Sequence, residues 1–197
     1  MSWLSLCLTR AGAPVILYDM DKVDESNLAG QFYKPVQIGV DKTMAVTQNI
    51  LDLVVNPKIA IEGMYENGSK TSSVVMAAFD SIEARRNMMI NWLNLNDRLI
   101  FIDGRLGANF HKVNIVKTES EAMEYLKDLG TDDDYEELPC NFKQTSHVAM
   151  HCASTMTSVY CNFLMGNHLP KSVIYNSDFL NMKKVKHGDS VRNYTEA

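Results

Sequence analysis

The sequence predicts an α/β fold, a mainly parallel sheet with helices on both faces, and three observations carry that reading. Short apolar runs alternate with helical periodicity from residue 15 to residue 102, the pattern of strands joined by helical crossovers. Two of those runs stop abruptly at acids, Val15-Ile16-Leu17-Tyr18 at Asp19 and the run through Phe79 at Asp80. Ligands of open α/β sheets sit beyond the carboxyl ends of the strands, so these acids mark where a site is expected. Finally, 197 residues with 46% hydrophobic residues suffice for one sizeable core, and no internal repeat or low-complexity linker divides the chain. A single domain over residues 1–197 is expected.

The elements follow in order. Residues 2–10 form an apolar helix that Gly12 stops, and Pro14 opens the strand 15–18. After a polar loop to Gly39, Asp41 is placed to cap a helix whose Ala45, Val46, Ile50, Leu53 and Val54 recur at helical spacing, with Lys42 in its first turn. Residues 58–64 and 73–79 read as strands. The Asn67-Gly68 turn between them permits an antiparallel hairpin, although the stretch is also long enough to cross two strand spacings. Residues 81–94 are helical, with Asp80 and Glu83 fitting a D-x-x-E capping box. Strands are expected at 98–102, ending in the loop Asp103-Gly104-Arg105-Leu106-Gly107, and at 112–117. A short surface helix over 119–129 follows. A long helix at about 145–165, apolar or small almost all round, ends at Gly166 and should be buried in the domain or against another copy. Residues 172–175 and 179–186 close the chain as a pair of strands.

Composition excludes several classes. Net charge is -5, and Lys183-Lys184-Val185-Lys186 is the densest basic cluster, so nucleic acid is not an expected partner. No run approaches the ~18 to 20 apolar residues of a membrane span, and residues 1–8 lack a charged signal start; a cytoplasmic location is expected. Cys7, Cys140, Cys152 and Cys161 form no C-x-x-C pair, so neither zinc nor a disulfide framework is indicated. Five acids in residues 131–137 have no metal-loop spacing and read as a solvated loop. His147 and His151 stand four apart on the long helix, without the acid that would follow the first histidine of a zinc protease.

The run Leu17-Tyr18-Asp19-Met20-Asp21, then Val23, Ser26-Asn27-Leu28, Gln31, Gly39 and Lys42, followed by Phe79-Asp80-Ser81-Ile82-Glu83-Ala84-Arg85 and Phe101-Ile102-Asp103-Gly104, resembles the ThiF/MoeB/HesA family, relatives of the ubiquitin-activating enzymes. The match covers about residues 2–107, more loosely the long helix. It implies a Rossmann-like sheet that binds Mg-ATP and adenylates the C-terminal carboxylate of a small ubiquitin-like or sulfur-carrier protein, and it implies a homodimer.

By the same resemblance Asp19 is the acid that holds the ATP ribose, with Asp21 beside it. Asn27 and Lys42 contact nucleotide and phosphate, Gln31 falls at a motif position next to them, and Asp80 organises magnesium. Cys140 lies roughly where some relatives carry a cysteine that accepts the activated protein as a thioester. Each also has a plain structural role open to it: Asp19 and Asp21 as loop acids, Asn27 as a turn former, Asp80 as a cap, Cys140 as a small buried thiol and Arg105 as an exposed loop residue. Lys42 is different, because a cation in a first helical turn opposes the helix dipole and calls for an anion nearby.

Three departures accompany the match. The family's opening strand and glycine-rich phosphate loop would precede Ser2, so an N-terminally truncated domain is expected, short of the backbone N–H groups that cradle phosphate. Gly30 stands where many relatives place arginine, and residues 65–72 leave no room for a crossover helix. Two further readings stay open: a non-catalytic module of the same fold for dimerisation or protein binding, with weakened or lost ATP binding, and a nicotinamide-binding Rossmann protein. The latter accounts for Asp19 but leaves Asn27, Lys42 and Asp80 unexplained.

Overall fold

The computed structural model describes residues 1–65, 69–78, 81–107, 109–130 and 146–186. Helix α1 (Ser2–Arg10) leads into β1 (Val15–Tyr18). Helix α2 (Lys42–Leu51) then crosses to β2 (Ile59–Glu62), which pairs parallel with β1 from Val15↔Ile59 to Tyr18↔Glu62. Next come β3 (Val74–Ala77), α3 (Ile82–Leu93) and β4 (Ile100–Leu106), with β3 parallel to β4. The chain continues as β5 (Phe110–Val116), α4 (Glu119–Asp128), α5 (Ser146–Leu164), β6 (Ser172–Asn176) and β7 (Asn181–Val185).

The α/β class stands, but among the described residues parallel pairing is confined to β1–β2 and β3–β4. The pairings β4–β5, β5–β6 and β6–β7 are antiparallel, so the expected mainly parallel sheet is a mixed one. Chain length decides this: β4 and β5 are joined through residues 107–109 and β6 and β7 through 177–180, links that allow a hairpin but no crossover. The hairpin that Asn67-Gly68 permitted is not formed, since β2 and β3 lie in different sheets.

Helices cover both faces as expected. Strand β4 sends Ile100 and Ile102 to one side, where they pack with Leu4 and Leu8 of α1 and Met156 and Val159 of α5. It sends Phe101 to the other, among Met89 and Trp92 of α3 and Ala122 and Leu129. A strand buried on both faces should be apolar at successive positions, as Ile100-Phe101-Ile102 is, and each such side chain contributes about 1.5–3 kcal/mol by burial. Helix α5 lies close on β4 because residue 104 is glycine. A Cβ there would stand 2.5 Å from Met156 Sδ and 3.1 Å from Cys152 Sγ. Helix α5 is buried along Val148, Cys152, Met156 and Val159 but exposes Met150 and Leu164, so its apolar surface is only partly used within the chain.

Two local expectations are corrected. The cap of α3 is Ser81, whose Oγ accepts the Ala84 N–H at 3.2 Å, one residue later than the D-x-x-E reading places it. Asp41 holds the N-terminal position of α2 without capping it, because its carboxylate pairs with Lys22 at 3.1 Å. Among the described residues no helix is long and apolar enough to cross a membrane.

Between the two sheets runs an open cleft of about 700 Å³, lined by α1, by β1 from one sheet and by β3 from the other. Tyr65, after β2, and Lys70, before β3, are each held by a side chain: Asn91 of α3 donates to Tyr65 Oη at 3.0 Å, and Tyr18 Oη donates to the Lys70 carbonyl at 2.8 Å.

Candidate functional site

Strand β1 delivers Asp19 to the carboxyl end of the smaller sheet. Asp19 Oδ1 accepts the Asp21 N–H at 3.0 Å, which folds the chain tightly and turns Asp21 toward α2. Lys42 meets it there: its Nζ lies 2.7 Å from Asp21 Oδ2, and its N–H donates to the Asp21 carbonyl at 2.8 Å. The Lys42 side chain is 13% exposed against 54% for Asp21. The anion that the helix dipole calls for near Lys42 is therefore supplied by the protein itself. A short antiparallel bridge, Lys22↔Asp41, locks this arrangement. It is extended by Val23 N–H to Val40 O and Gly39 N–H to Val23 O, both 2.8 Å, and Gly39 takes φ +85° to allow it.

Electrostatics draw more residues to the same end. Burial raises the pKa of Asp19 above its ordinary value, opposed by the Asp21 hydrogen bond and the Lys42 charge. Burial also raises the pKa of Tyr33, with Asp19 and Asp21 adding to the effect, so the phenol stays neutral beside the two acids. The α-amino group of Met1 is buried, which lowers its pKa, while Asp19 opposes that shift and the charges of Lys42 and Arg85 reinforce it. Asp19, Lys42 and Arg85 are thus among the charges that act on this amino group.

The loop of residues 24–38 is held to this end by bonds that sequence alone did not reveal. Gln37 and Asn49, both buried, exchange side-chain hydrogen bonds at 2.9 and 3.0 Å, and Asn49 also donates to the Phe32 carbonyl at 2.9 Å. Trp3 Nε1 donates to the Gly30 carbonyl at 3.0 Å, and its ring lies 4.9 Å from that of Phe32. The signal available in the sequence was a polar pair, Gln37 and Asn49, with Asn49 on the face of α2 that carries Ala45, Val46 and Ile50.

Of the expected site residues, the structure brings Asp19, Asp21 and Lys42 together. Asn27 is used locally: its Oδ1 accepts the Asp24 N–H at 3.0 Å, closing a capping box over a short 3-10 turn. Gln31 follows directly, its N–H bonded to the Asn27 carbonyl at 2.9 Å. Asp80 and Cys140 lie outside the described residues. Arg105 is not in a loop, because pairing with β5 extends β4 through Leu106.

At the far side of this end, Asp103 is fully buried and bonded to Arg85, which also reaches the Gly104 carbonyl at 3.3 Å. Arg105 Nε approaches Asp103 Oδ2 at 2.8 Å while its guanidinium lies over the Tyr125 ring. The carboxylate thereby neutralises two cations in the interior and ties α3 to β4, an arrangement that breaks even only when its hydrogen bonds are all made.

The histidines do other work. His151 stacks on Tyr175 with centroids 4.0 Å apart and lies 5.1 Å from His111, whereas His147 is exposed. Burial, with His151 adding, lowers the His111 pKa to about 4. No group of three or more His, Cys, Asp or Glu side chains among the described residues can hold a metal ion. Cys7, Cys152 and Cys161 are free thiols, and burial pushes Cys152 up to about 12.

No family model matches the chain. Over 122 residues it is 30% identical to a ubiquitin-like modifier-activating enzyme 5 from Caenorhabditis briggsae, a match spanning 52% of this chain and 27% of that relative. Among solved structures it is similar to PaaA, with TM-score 0.65 and 16% identity over 94% of this chain and 68% of the other. It is also similar to E. coli MccB bound to a form of MccA, with TM-score 0.72 and 14% identity over 96% of this chain and 62% of the other. A further MccB structure contains ATP (TM-score 0.67, 17% identity). The chain therefore shares the fold of PaaA and MccB, and over 122 residues its sequence is similar to that of a ubiquitin-like modifier-activating enzyme, of whose length it spans about a quarter.

Proposed function

We propose that this chain carries out E1-like adenylation: Mg-ATP is the substrate, and the carboxylate of a small protein or peptide is the acceptor. The observation that carries the reading is the Asp19–Asp21–Lys42 cluster at the carboxyl end of β1. The donor set suits a nucleotide. A carboxylate has lone pairs for more than the one Asp21 bond that Asp19 accepts, which fits it for ribose hydroxyls. Lys42, released from Asp21, is a point charge for phosphate. Asp80 is assigned to magnesium, which would neutralise phosphate oxygens. The acceptor carboxylate attacks the α-phosphate and pyrophosphate leaves, so the chain's share is positioning and charge neutralisation. The sequence match to a modifier-activating enzyme and the likeness to MccB with its MccA peptide support a ubiquitin-like, sulfur-carrier or peptide acceptor. We also take the working unit to be a homodimer built on the exposed part of α5, which sedimentation at tens of micromolar tests.

A specific observation favours a second reading. Lys42 is already engaged by Asp21, and Asn27 by its own turn, which suits a non-catalytic protein-binding module of the same fold. Calorimetric titration of Mg-ATP into the chain, beside Asp19→Asn and Asp80→Ala, decides between them. Micromolar binding lost in both variants is the result expected of an adenylating enzyme; a well-folded chain that binds no nucleotide leaves the binding module.

A further inference from the structure

Among the described residues, two buried ring nitrogens have no hydrogen-bond partner: Nδ1 of His111 on β5 and Nδ1 of His151 on α5. His111 is fully buried. The state of its ring follows from Thr155, one turn after His151 on α5. The Thr155 hydroxyl carries a single proton, which goes to the His151 carbonyl at 2.9 Å, so toward His111 Nε2, at 3.3 Å, the same oxygen can only accept. Nε2 therefore holds the ring hydrogen, and Nδ1 keeps a bare lone pair. Leaving such an acceptor buried and unmatched costs about 1–3 kcal/mol. Neutral imidazole with a free nitrogen lone pair is the form of histidine that ligates metals.

The spacing of the two rings suits an ion between them. Zinc–nitrogen bonds are about 2.0–2.1 Å and a ring centre lies about 1.1 Å beyond its nitrogen, so two imidazoles at a tetrahedral angle have centroids about 5 Å apart. The His111 and His151 centroids are 5.1 Å apart, with planes at 41°. Tyr175 backs both rings, stacked on His151 at 4.0 Å and lying 5.4 Å from His111, which holds His151 in place. In the present side-chain arrangement these two rings stand together without a third ligand. His147 can supply one by turning its exposed side chain: it stands four positions before His151 on the same face of α5, and helical side chains lean toward the N-terminus, which brings the His151 ring over the turn that His147 begins. An all-imidazole donor set selects zinc, copper or nickel over magnesium and calcium.

We propose that His111 and His151, joined by His147, form a binding site for a zinc-class dication, with water completing the coordination, which fastens the beginning of α5 to β5. The inference does not rest on nucleotide binding, and the magnesium assigned to Asp80 is a separate ion of different chemistry.

The test titrates zinc, and cobalt(II) as its coloured substitute, into the whole metal-free chain. The expected result is one ion per chain at micromolar concentration, with the visible cobalt absorption of a four-coordinate nitrogen site. NMR of the histidine ring nitrogens should show Nδ1 of His111 and of His151 as the atoms that shift, with His168 unmoved. His111→Phe and His151→Phe should each weaken binding at least tenfold and His147→Ala severalfold, with circular dichroism establishing that each variant is folded and His151→Gln replacing a phenylalanine variant that is not. Binding undiminished in any of these variants would overturn the proposal. So would a thiolate-to-cobalt charge-transfer band, which would put the ion on cysteine, or a folded chain that takes up no zinc, which would leave the two nitrogens to a buried water.

Discussion

Replacing Asp103 by alanine should be among the most damaging single changes in this protein. Asp103 is fully buried, and it faces Arg85, whose side chain is 6% exposed, and Arg105, at 18%. Alanine takes from the buried Arg85 guanidinium the carboxylate of Asp103, while its bond to the Gly104 carbonyl is kept. Removing one partner of a buried pair costs about 3–5 kcal/mol, most of it the uncompensated charge. In a chain of this size each kcal/mol lowers Tm by roughly 2–4 °C, so the midpoint should fall by roughly 6–20 °C. Urea unfolding followed by circular dichroism measures the loss as a lower midpoint at unchanged slope. The companion is the double replacement Asp103→Leu with Arg85→Met, which removes both charges and should recover most of the loss. A loss below about 1 kcal/mol in Asp103→Ala, or a double variant as unstable as the single one, would refute the view that neutralisation of Arg85 holds α3 to β4.

Gly104→Ala should destabilise by about 1–3 kcal/mol, because its Cβ would overlap Met156 Sδ and force α5 outward; adding Met156→Ala should make the further cost of the Gly104 change small, measured by thermal unfolding of the four-member cycle. Stability should fall with acid below about pH 6.5. His111 is neutral in the fold at about 4 but takes a proton at 6.5 when unfolded, so the unfolded chain binds more protons in that window. The loss grows as pH drops and levels off near pH 4 at up to roughly 3 kcal/mol; a His111→Phe variant should flatten this pH profile, and an unchanged profile would assign the acid sensitivity elsewhere. Lys42→Ala should change stability by no more than about 1 kcal/mol, because its partner Asp21 is half exposed. Calorimetry on the same variant should show a loss of Mg-ATP affinity far larger than that. A variant that unfolds would instead make Lys42 a structural residue.

Much of this architecture was legible because its elements are local. Trp92 and Met89 fall at helical spacing, and Val15 to Tyr18 is a short apolar run closed by an acid, so α3 and β1 could be placed without knowing their neighbours. The same signal failed for Asp103-Gly104-Arg105, a loop by composition. It is strand because the antiparallel pairing of Leu106 with His111 supplies a ladder, and because Asp103 is neutralised by an arginine eighteen positions earlier. Gln37 with Asn49, Tyr33 with its two acids, and Arg85 were illegible as partners for the same reason. Their meaning lies in contacts across the fold, and a buried polar side chain looks like an exposed one until its partner is known. The meeting of Asp19 and Lys42 was legible only through the family resemblance; spacing alone offered a lysine in search of an anion, and the structure names that anion as Asp21.

The chain's two tryptophans divide the molecule optically. Trp92 is sealed against Phe101 in the sheet, whereas Trp3 hangs on the Gly30 carbonyl beside Phe32. Emission from the first stays blue until the whole domain comes apart. Emission from the second should move as soon as residues 24–38 let go of α1, so a single fluorescence trace can separate release of the loop from loss of the core.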